Sequence, residues 1–371
     1  MDFLNKMKET ARQDMKTIVL PEGAEPRTVK AVGTILKEGF ANIVLLGKEE
    51  DIKAQAVAQG VDISGAKIVD PETSPDFEEY ANNFYEMRKK KGMTPEEAKK
   101  MMANPLYFGV MMVEVGAADG MVSGAINSTA NTLRPALQIL KTAPDAKLVS
   151  SFMLELVPNC EYGEDGVFMF ADISLEQDPD AEKLSEIALM TAKSFKQLVG
   201  AEPKVAMLSY STYGSAKHDL VTKVQEATKL AKEKAPDLAL DGELQLDAAI
   251  VPSVGQQKAP ESKVAGYANV LIFPDLNAGN IGYNWLRDWQ KRKLTARSSR
   301  GSRSPSTTSP EAAYGKISSV LLQSPRYRLR IRPNKSFHSY QPNPFGFPKG
   351  FLVGIFGRDW SGLMKKCCDI I

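Results

Sequence analysis

Tyr107–Leu140 reads YFGVMMVEVGAADGMVSGAINSTANTLRPALQIL, and its middle, Gly120-Met-Val-Ser-Gly-Ala, decides the fold. A short apolar run of small residues suits a strand buried in a parallel sheet. The polar turn Ile126-Asn-Ser-Thr-Ala-Asn follows, and then an apolar helical spacing at Leu133, Leu137 and Leu140. A helix starting there aims its free N–H groups and positive dipole end at the sheet edge, where a phosphate can sit. Arg134 and Pro135 read as its first turn, since proline is tolerated near N1. Asn127, Ser128 and Thr129 therefore have two readings, an ordinary N-cap or a set of ligand donors, and spacing alone favours the cap.

Upstream, Thr17-Ile-Val-Leu is a strand, Thr28 to Glu38 a helix and Ala41 to Gly47 a second strand. Lys48 to Gln59 reads as helix and Lys67 to Asp70 as strand, so the alternation argues a doubly wound parallel sheet. Phe77 to Lys91 and Thr94 to Met102 are charged amphipathic helices, the second with a well-formed start at Thr94-Pro-Glu-Glu. Arg27, on the loop after the first strand, reads as a solvated arginine, and the Arg88-Lys-Lys-Lys run as a solvated helix face.

Downstream, Lys147 to Leu156 and Gly166 to Asp172 read as adjacent strands and Asp180 to Val199 as a long helix. Lys204 to Ser209 is a strand that delivers Tyr210-Ser-Thr-Tyr-Gly-Ser-Ala to a turn before the helix Asp219 to Lys234. Ser211, Thr212, Gly214 and Ser215 there are candidate phosphate-cradling groups, with a plain Ser/Thr-rich turn as the alternative. Asp247 reads equally as a cleft residue or a helix cap. Ala268 to Phe273 is the last clear strand, and Asn277, Gly279 and Asn280 after it suit a tight turn with left-handed residues.

The chain has 371 residues, 43% hydrophobic and 25% charged, which is room for two domains of soluble globular composition. No apolar run is long enough to span a bilayer, and the charged N-terminus lacks the apolar core of a secretory signal, so a cytoplasmic protein without a membrane partner is expected. Cys160, Cys367 and Cys368, with His218 and His338, make neither a disulfide framework nor a metal-ligand spacing. Cys160 and His218 read as structural. Charge is uneven: residues 284–371 hold 17 basic and 4 acidic side chains, against 30 and 41 in residues 1–283. Trp285, Trp289 and Trp360 all fall in that basic tail.

The run GMVSGAINSTANTLRPALQ closely resembles the phosphate acetyltransferase family, and Leu208-Ser-Tyr-Ser-Thr-Tyr-Gly-Ser-Ala and Phe273-Pro-Asp-Leu-Asn-Ala-Gly-Asn-Ile-Gly-Tyr match the same family in order. Asp241-Gly-Glu-Leu-Gln-Leu-Asp-Ala-Ala matches it too. The resemblance covers residues 1–283 and implies an α/β fold of two domains, 1–148 and 149–283. Their sheets are parallel or mixed and flanked by helices, with an active cleft between the domains as in isocitrate and isopropylmalate dehydrogenases. It implies reversible acetyl transfer between coenzyme A and phosphate in a ternary complex, with coenzyme A, acetyl-CoA, phosphate and acetyl phosphate as substrates and no further cofactor or metal. A homodimer is implied as well. The resemblance assigns Arg88 and Arg134 to the phosphates of coenzyme A and places Asn277 and Asn280 beside the active cleft. Two other readings stand beside it, a transferase of propionyl or butyryl groups and a non-catalytic acetyl-CoA-binding module.

After Tyr283 the resemblance breaks. The family continues with an amphipathic helix and a segment ending PVNDLSRGC, which supplies a serine, an arginine and, a few residues on, an aspartate taken as the thiol base. None of these is present, so no catalytic residue is carried over. Residues 301–312 instead read GSRSPSTTSPEA. Codons exist for that stretch which, read one nucleotide earlier, spell GLAKPVNDLSRG, and the same shift from Asn284 spells KLAERLAKAEAYGPILQ. The tail 284–371 thus reads as out-of-frame translation after loss of one nucleotide and is expected to be poorly ordered. That hidden text makes a nucleic-acid-binding extension and a disordered linker both the weaker readings.

Overall fold

The computed structural model describes residues 3–141, 148–286, 316–322 and 351–353. The chain divides into two compact units, one built on Met1–Asp145 and one on Ala146–Ser319. In the first, α1 (Phe3–Gln13) leads into β1 (Lys16–Leu20), α2 (Pro26–Glu38), β2 (Ala41–Leu46), α3 (Glu49–Gln59) and β3 (Lys67–Val69). Next come α4 (Phe77–Arg88) with a 3-10 turn at Lys89–Lys91, α5 (Pro95–Met102), α6 (Pro105–Glu114), β4 (Gly120–Met121) and α7 (Thr129–Ile139).

The four strands are parallel in the order β3-β2-β1-β4, with Ile18 paired to Ile43 on one side and Gly120 on the other. The chain steps outward from β1 to β3 and then returns to the far side of β1, so strand order reverses between β1 and β4. At such a reversal the loops leave in opposite directions and open a crevice beyond the strand ends. Val29, Val32 and Ile35 of α2 pack on Ile18, Leu20, Ile43 and Leu45. Each side chain of that size contributes about 1.5–3 kcal/mol when fully buried. Helix α2 starts where Glu25 accepts from the amides of Arg27 and Thr28, and stops at Gly39 with φ 65°. Helix α5 starts with the capping box that Thr94-Pro-Glu-Glu announces.

Three features of this unit depart from the sequence reading. Helix α6 was not anticipated: eight of its ten residues are buried, so it is apolar on all sides and shows no periodic contrast. Only two residues of the Gly120–Ala125 run pair as strand. Helix α7 begins a turn earlier than expected, because Ser128 accepts from the Asn131 amide. Arg134 and Pro135 therefore lie in its second turn rather than its first.

The second unit contains β5 (Phe152–Leu156), β6 (Val167–Ala171), α8 (Ala181–Val199), β7 (Lys204–Leu208), α9 (Asp219–Lys234), β8 (Ala239–Leu244), α10 (Leu246–Ile250), α11 (Pro252–Lys258) and β9 (Val270–Ile272). Residues 276–286 form α12. Strands β6, β9, β7 and β8 are parallel neighbours, and β5 joins β6 antiparallel, so this sheet is mixed. Strand β10 (Lys316–Leu322) pairs antiparallel with β5 and with β11 (Phe351–Val353). Phe170, Leu208, Leu244, Leu271 and Phe273 share one core.

Strand β8 escaped the sequence reading because Ala239–Leu244 carries Asp241 and Glu243, which spoil an apolar pattern although both are buried. The tight turn expected at Asn277, Gly279 and Asn280 is instead the start of α12. Gly279 serves close approach rather than a left-handed backbone: a Cβ there would lie 2.3 Å from the Asp172 carbonyl oxygen. Lys147, expected to open a strand, lies outside the described residues, as do residues 301–312 and most of the tail expected to be poorly ordered.

Candidate functional site

The reversal point between β1 and β4 is organised by a carboxylate. Glu22, two residues after β1 and 7% exposed, accepts from the amides of Gly124, Ala125, Ile126 and Asn127 and from the Asn127 side chain. Arg27 donates Nη2 to the Ala125 carbonyl and pairs with Glu25, so it fastens the same loop instead of being merely solvated. The amides of 124–127 are thus satisfied internally. Those of Ser128, Thr129 and Ala130, at the start of α7, have no partner among the described residues. A helix start with open amides beyond a sheet reversal attracts anions.

Arg88, at the end of α4, and Arg134, on α7, both act through their charge on one hydroxyl. Tyr107 of α6 donates to Gln138 at 3.2 Å, and burial pushes its pKa up while the charges of Arg134 and Arg88 pull it down. Arg134 is exposed. Arg88 keeps its Nε buried without a hydrogen-bond partner among the described residues. A buried Arg88 donor left unspent, with the charge of Arg134 felt at the same hydroxyl, suits phosphate oxygens. Asn127, Ser128 and Thr129 stand at and just ahead of the start of the helix that carries Arg134.

The hydroxyl-rich loop of the second unit is built around another buried carboxylate. Glu243 Oε1 accepts from Ser211 Oγ at 2.8 Å and from the Gly214 amide at 2.7 Å. Ser215 Oγ accepts from the Thr212 amide and lies 3.3 Å from Ser211 Oγ. Thr212 Oγ1 accepts from the Gln245 amide. Ser211, Thr212 and Gly214 therefore spend these groups on the loop itself, while Ser215 is exposed. Beside it, Tyr213 donates to Asp241, which also takes Lys232 Nζ and Ser262 Oγ.

A third carboxylate repeats the pattern. Asp172, just after β6, accepts from the amides of Ser151, Ser174 and Leu175 and from the Ser151 hydroxyl. Asn280 donates to the neighbouring Ile173 carbonyl, while Asn277 is exposed. Sequence reasoning missed Glu22, Asp172 and Glu243. A signal was available for Glu22 and Asp172, each an acid just after an apolar strand, whereas Glu243 lies within a strand whose acids break the apolar pattern. His218 caps α9 by accepting from the Leu220 amide, which is a structural role. Asp247 takes its own helix's Ala248 amide and Lys258, which holds its carboxyl below the usual range.

Residues 2–294 match the family model described as phosphate acetyl/butaryl transferase. The phosphate acetyltransferase of Acetivibrio thermocellus is 61% identical over 283 residues, covering 76% of this chain and 85% of that one. That of Escherichia coli is 48% identical over 282 residues, covering 76% of this chain and 38% of the much longer relative. In three dimensions the chain is similar to a phosphotransacetylase from Streptococcus pyogenes, with a TM-score of 0.72 at 43% identity, over 78% of this chain and 86% of that one. A family match over most of the chain, at such identity, leaves one conclusion about descent: the chain belongs to the phosphate acetyl/butaryl transferase family.

Proposed function

We propose that this protein is a phosphate acetyltransferase, acting on coenzyme A and inorganic phosphate in the reaction acetyl-CoA + phosphate ⇌ acetyl phosphate + CoA. The observation that carries the reading is the buried Arg88 Nε without a hydrogen-bond partner among the described residues, together with the open amides at the start of the helix that carries Arg134. In the direction of thioester formation a base takes the thiol proton, the thiolate attacks the acetyl carbonyl, and phosphate leaves. Cations and N–H donors hold the phosphate and the tetrahedral oxyanion. Arg88, Arg134, Asn127, Ser128 and Thr129 are the substrate-binding residues of this reading. Ser211, Thr212, Gly214, Ser215, Asn277 and Asn280 form a second set, of which Ser215 and Asn277 keep the most accessible side chains. The substrates supply the chemistry without another cofactor, and the protein works as a cytoplasmic homodimer. Among the described residues no helix is long and apolar enough to cross a membrane.

The thiol base belongs to the segment that the one-nucleotide shift conceals. Positioned proton transfer is worth about 10²–10⁴-fold and one electrostatic donor about 10²–10³-fold. Loss of both leaves the chain as given nearly inactive.

The test is acetyl phosphate-dependent formation of acetyl-CoA, measured on this chain and on a copy with one nucleotide restored at codon 284. Activity confined to the restored copy supports both the function and the shift. Activity in the unaltered chain places the base within residues 1–283 and overturns the account of the tail. Inactivity of both overturns the function. Comparing acetyl- with butyryl-CoA in the reverse assay separates acyl preferences.

A further inference from the structure

Glu22 accepts five hydrogen bonds from one loop. Its two oxygens take four consecutive backbone amides and one side-chain amide, at 2.7–3.0 Å. A carboxylate that accepts on both oxygens cannot be replaced by an amide without turning a donor against donors. The carboxylate also settles the orientation of Asn127. Because Glu22 Oε1 can only accept, the group facing it at 2.8 Å is the Asn127 NH2, and Asn127 Oδ1 is directed elsewhere. No described residue donates to that oxygen.

We propose that Glu22 is a positioning residue that turns Asn127 Oδ1 into the substrate site as a hydrogen-bond acceptor for a donor hydrogen of coenzyme A. This rests on the function proposed above, and it refines the part Asn127 plays. An acceptor oxygen repels phosphate oxygens and suits an amide N–H or hydroxyl of the coenzyme. Phosphate oxygens are served instead by Arg88, Arg134 and the open amides at the start of α7. Each side of the loop then has one task, set by which hydrogen-bonding face Glu22 leaves available.

The experiment is calorimetric titration of the full chain with coenzyme A and, separately, with inorganic phosphate, for the unaltered protein, N127A, E22Q and the double variant. Amide hydrogen exchange over residues 120–130 is followed in parallel. N127A is expected to weaken coenzyme A by about tenfold, the worth of one hydrogen bond, and to leave phosphate unchanged. E22Q is expected to speed exchange of the 124–127 amides and weaken coenzyme A at least as much. The double variant then binds no more weakly than E22Q, because the two residues act as a unit.

Loss of phosphate affinity in N127A with coenzyme A retained overturns the acceptor assignment. Faster exchange in E22Q with unchanged coenzyme A binding overturns the positioning role and leaves Glu22 a purely structural clamp. If E22Q does not fold, the N127A titrations still decide the acceptor assignment. Failure of both the unaltered chain and the copy with one nucleotide restored at codon 284 to bind coenzyme A overturns the proposed function itself, and is read before any variant.

Discussion

Tyr213 donates its hydroxyl to Asp241, and this bond fastens the loop that follows β7 to the neighbouring strand β8. The loop needs fastening, because Tyr213 holds a left-handed backbone at φ 48°, which side chains disfavour. Burial, and then the bond to Asp241, push the Tyr213 pKa up to about 12. A tyrosine raised above its unfolded value of about 10 contributes stability that is complete below pH ~10 and lost as pH rises towards ~12.

Tyr213→Phe is therefore expected to cost about 1 kcal/mol near neutral pH, the net worth of one hydrogen bond. The gap between the two proteins then narrows as pH climbs from ~10 to ~12. Urea unfolding at stepped pH measures it. A gap that stays constant through that window means the hydroxyl does not make the bond.

Two glycines separate close approach from backbone handedness. At Gly279 an added Cβ would lie 2.3 Å from the Asp172 carbonyl oxygen, whereas at Gly214 it meets nothing within 4 Å but φ is 77°. Gly279→Ala must push α12 away from the end of β6, at a cost of about 1–3 kcal/mol from overpacking. Gly214→Ala costs about 1–2 kcal/mol through left-handed strain alone. Thermal melts give both losses. Hydrogen exchange tells them apart, since only the first should loosen residues 276–286.

Much of the parallel sheet could be read in advance, because Thr17-Ile-Val-Leu, Ala41 to Gly47 and the helices between them each show their period within one short window. What stayed hidden depended on partners far away in sequence. Helix α6 is apolar on every side, so it carries no phase until its neighbours are known. The bonds from Glu22 to residues 124–127 join positions about a hundred residues apart. Asp241 and Glu243 look like solvated acids until the Tyr213 loop closes over them. The turn at Asn277-Ala-Gly-Asn was misread for a related reason, since a glycine required by a distant carbonyl looks the same as one required by a positive φ.

The arginine pair makes a charge-dependent prediction. Arg134→Ala is expected to weaken coenzyme A by about tenfold or more at low salt, through loss of a charge-assisted contact, with a smaller effect in high salt. Arg134 is exposed, so the melting temperature should hardly move. Its removal also lifts a charge that pulls the Tyr107 pKa down, so that hydroxyl should titrate still higher. Arg88→Lys tests the geometry of the pair, because lysine keeps the charge and loses the fork. Equal binding by Arg88→Lys and the unaltered chain would mean that charge alone is used.

Ser128 allows cap and ligand roles to be separated in one substitution. Its hydroxyl accepts from the Asn131 amide at 3.3 Å and so starts α7, and Ser128→Ala should cost about 1 kcal/mol. Aspartate caps as well as serine, and its charge favours the positive helix end, so Ser128→Asp should keep or raise stability. If the open amides beside it hold phosphate oxygens, the new negative charge occupies or repels from that place. Coenzyme A and phosphate should then both bind more weakly to a protein that melts no earlier. A cap with no ligand role predicts the opposite, with Ser128→Asp as stable as the unaltered chain and equally good at binding both. Calorimetry and melting on the same preparations decide it, and unchanged affinity would remove this helix start from the site and leave the arginine pair to hold the anion alone.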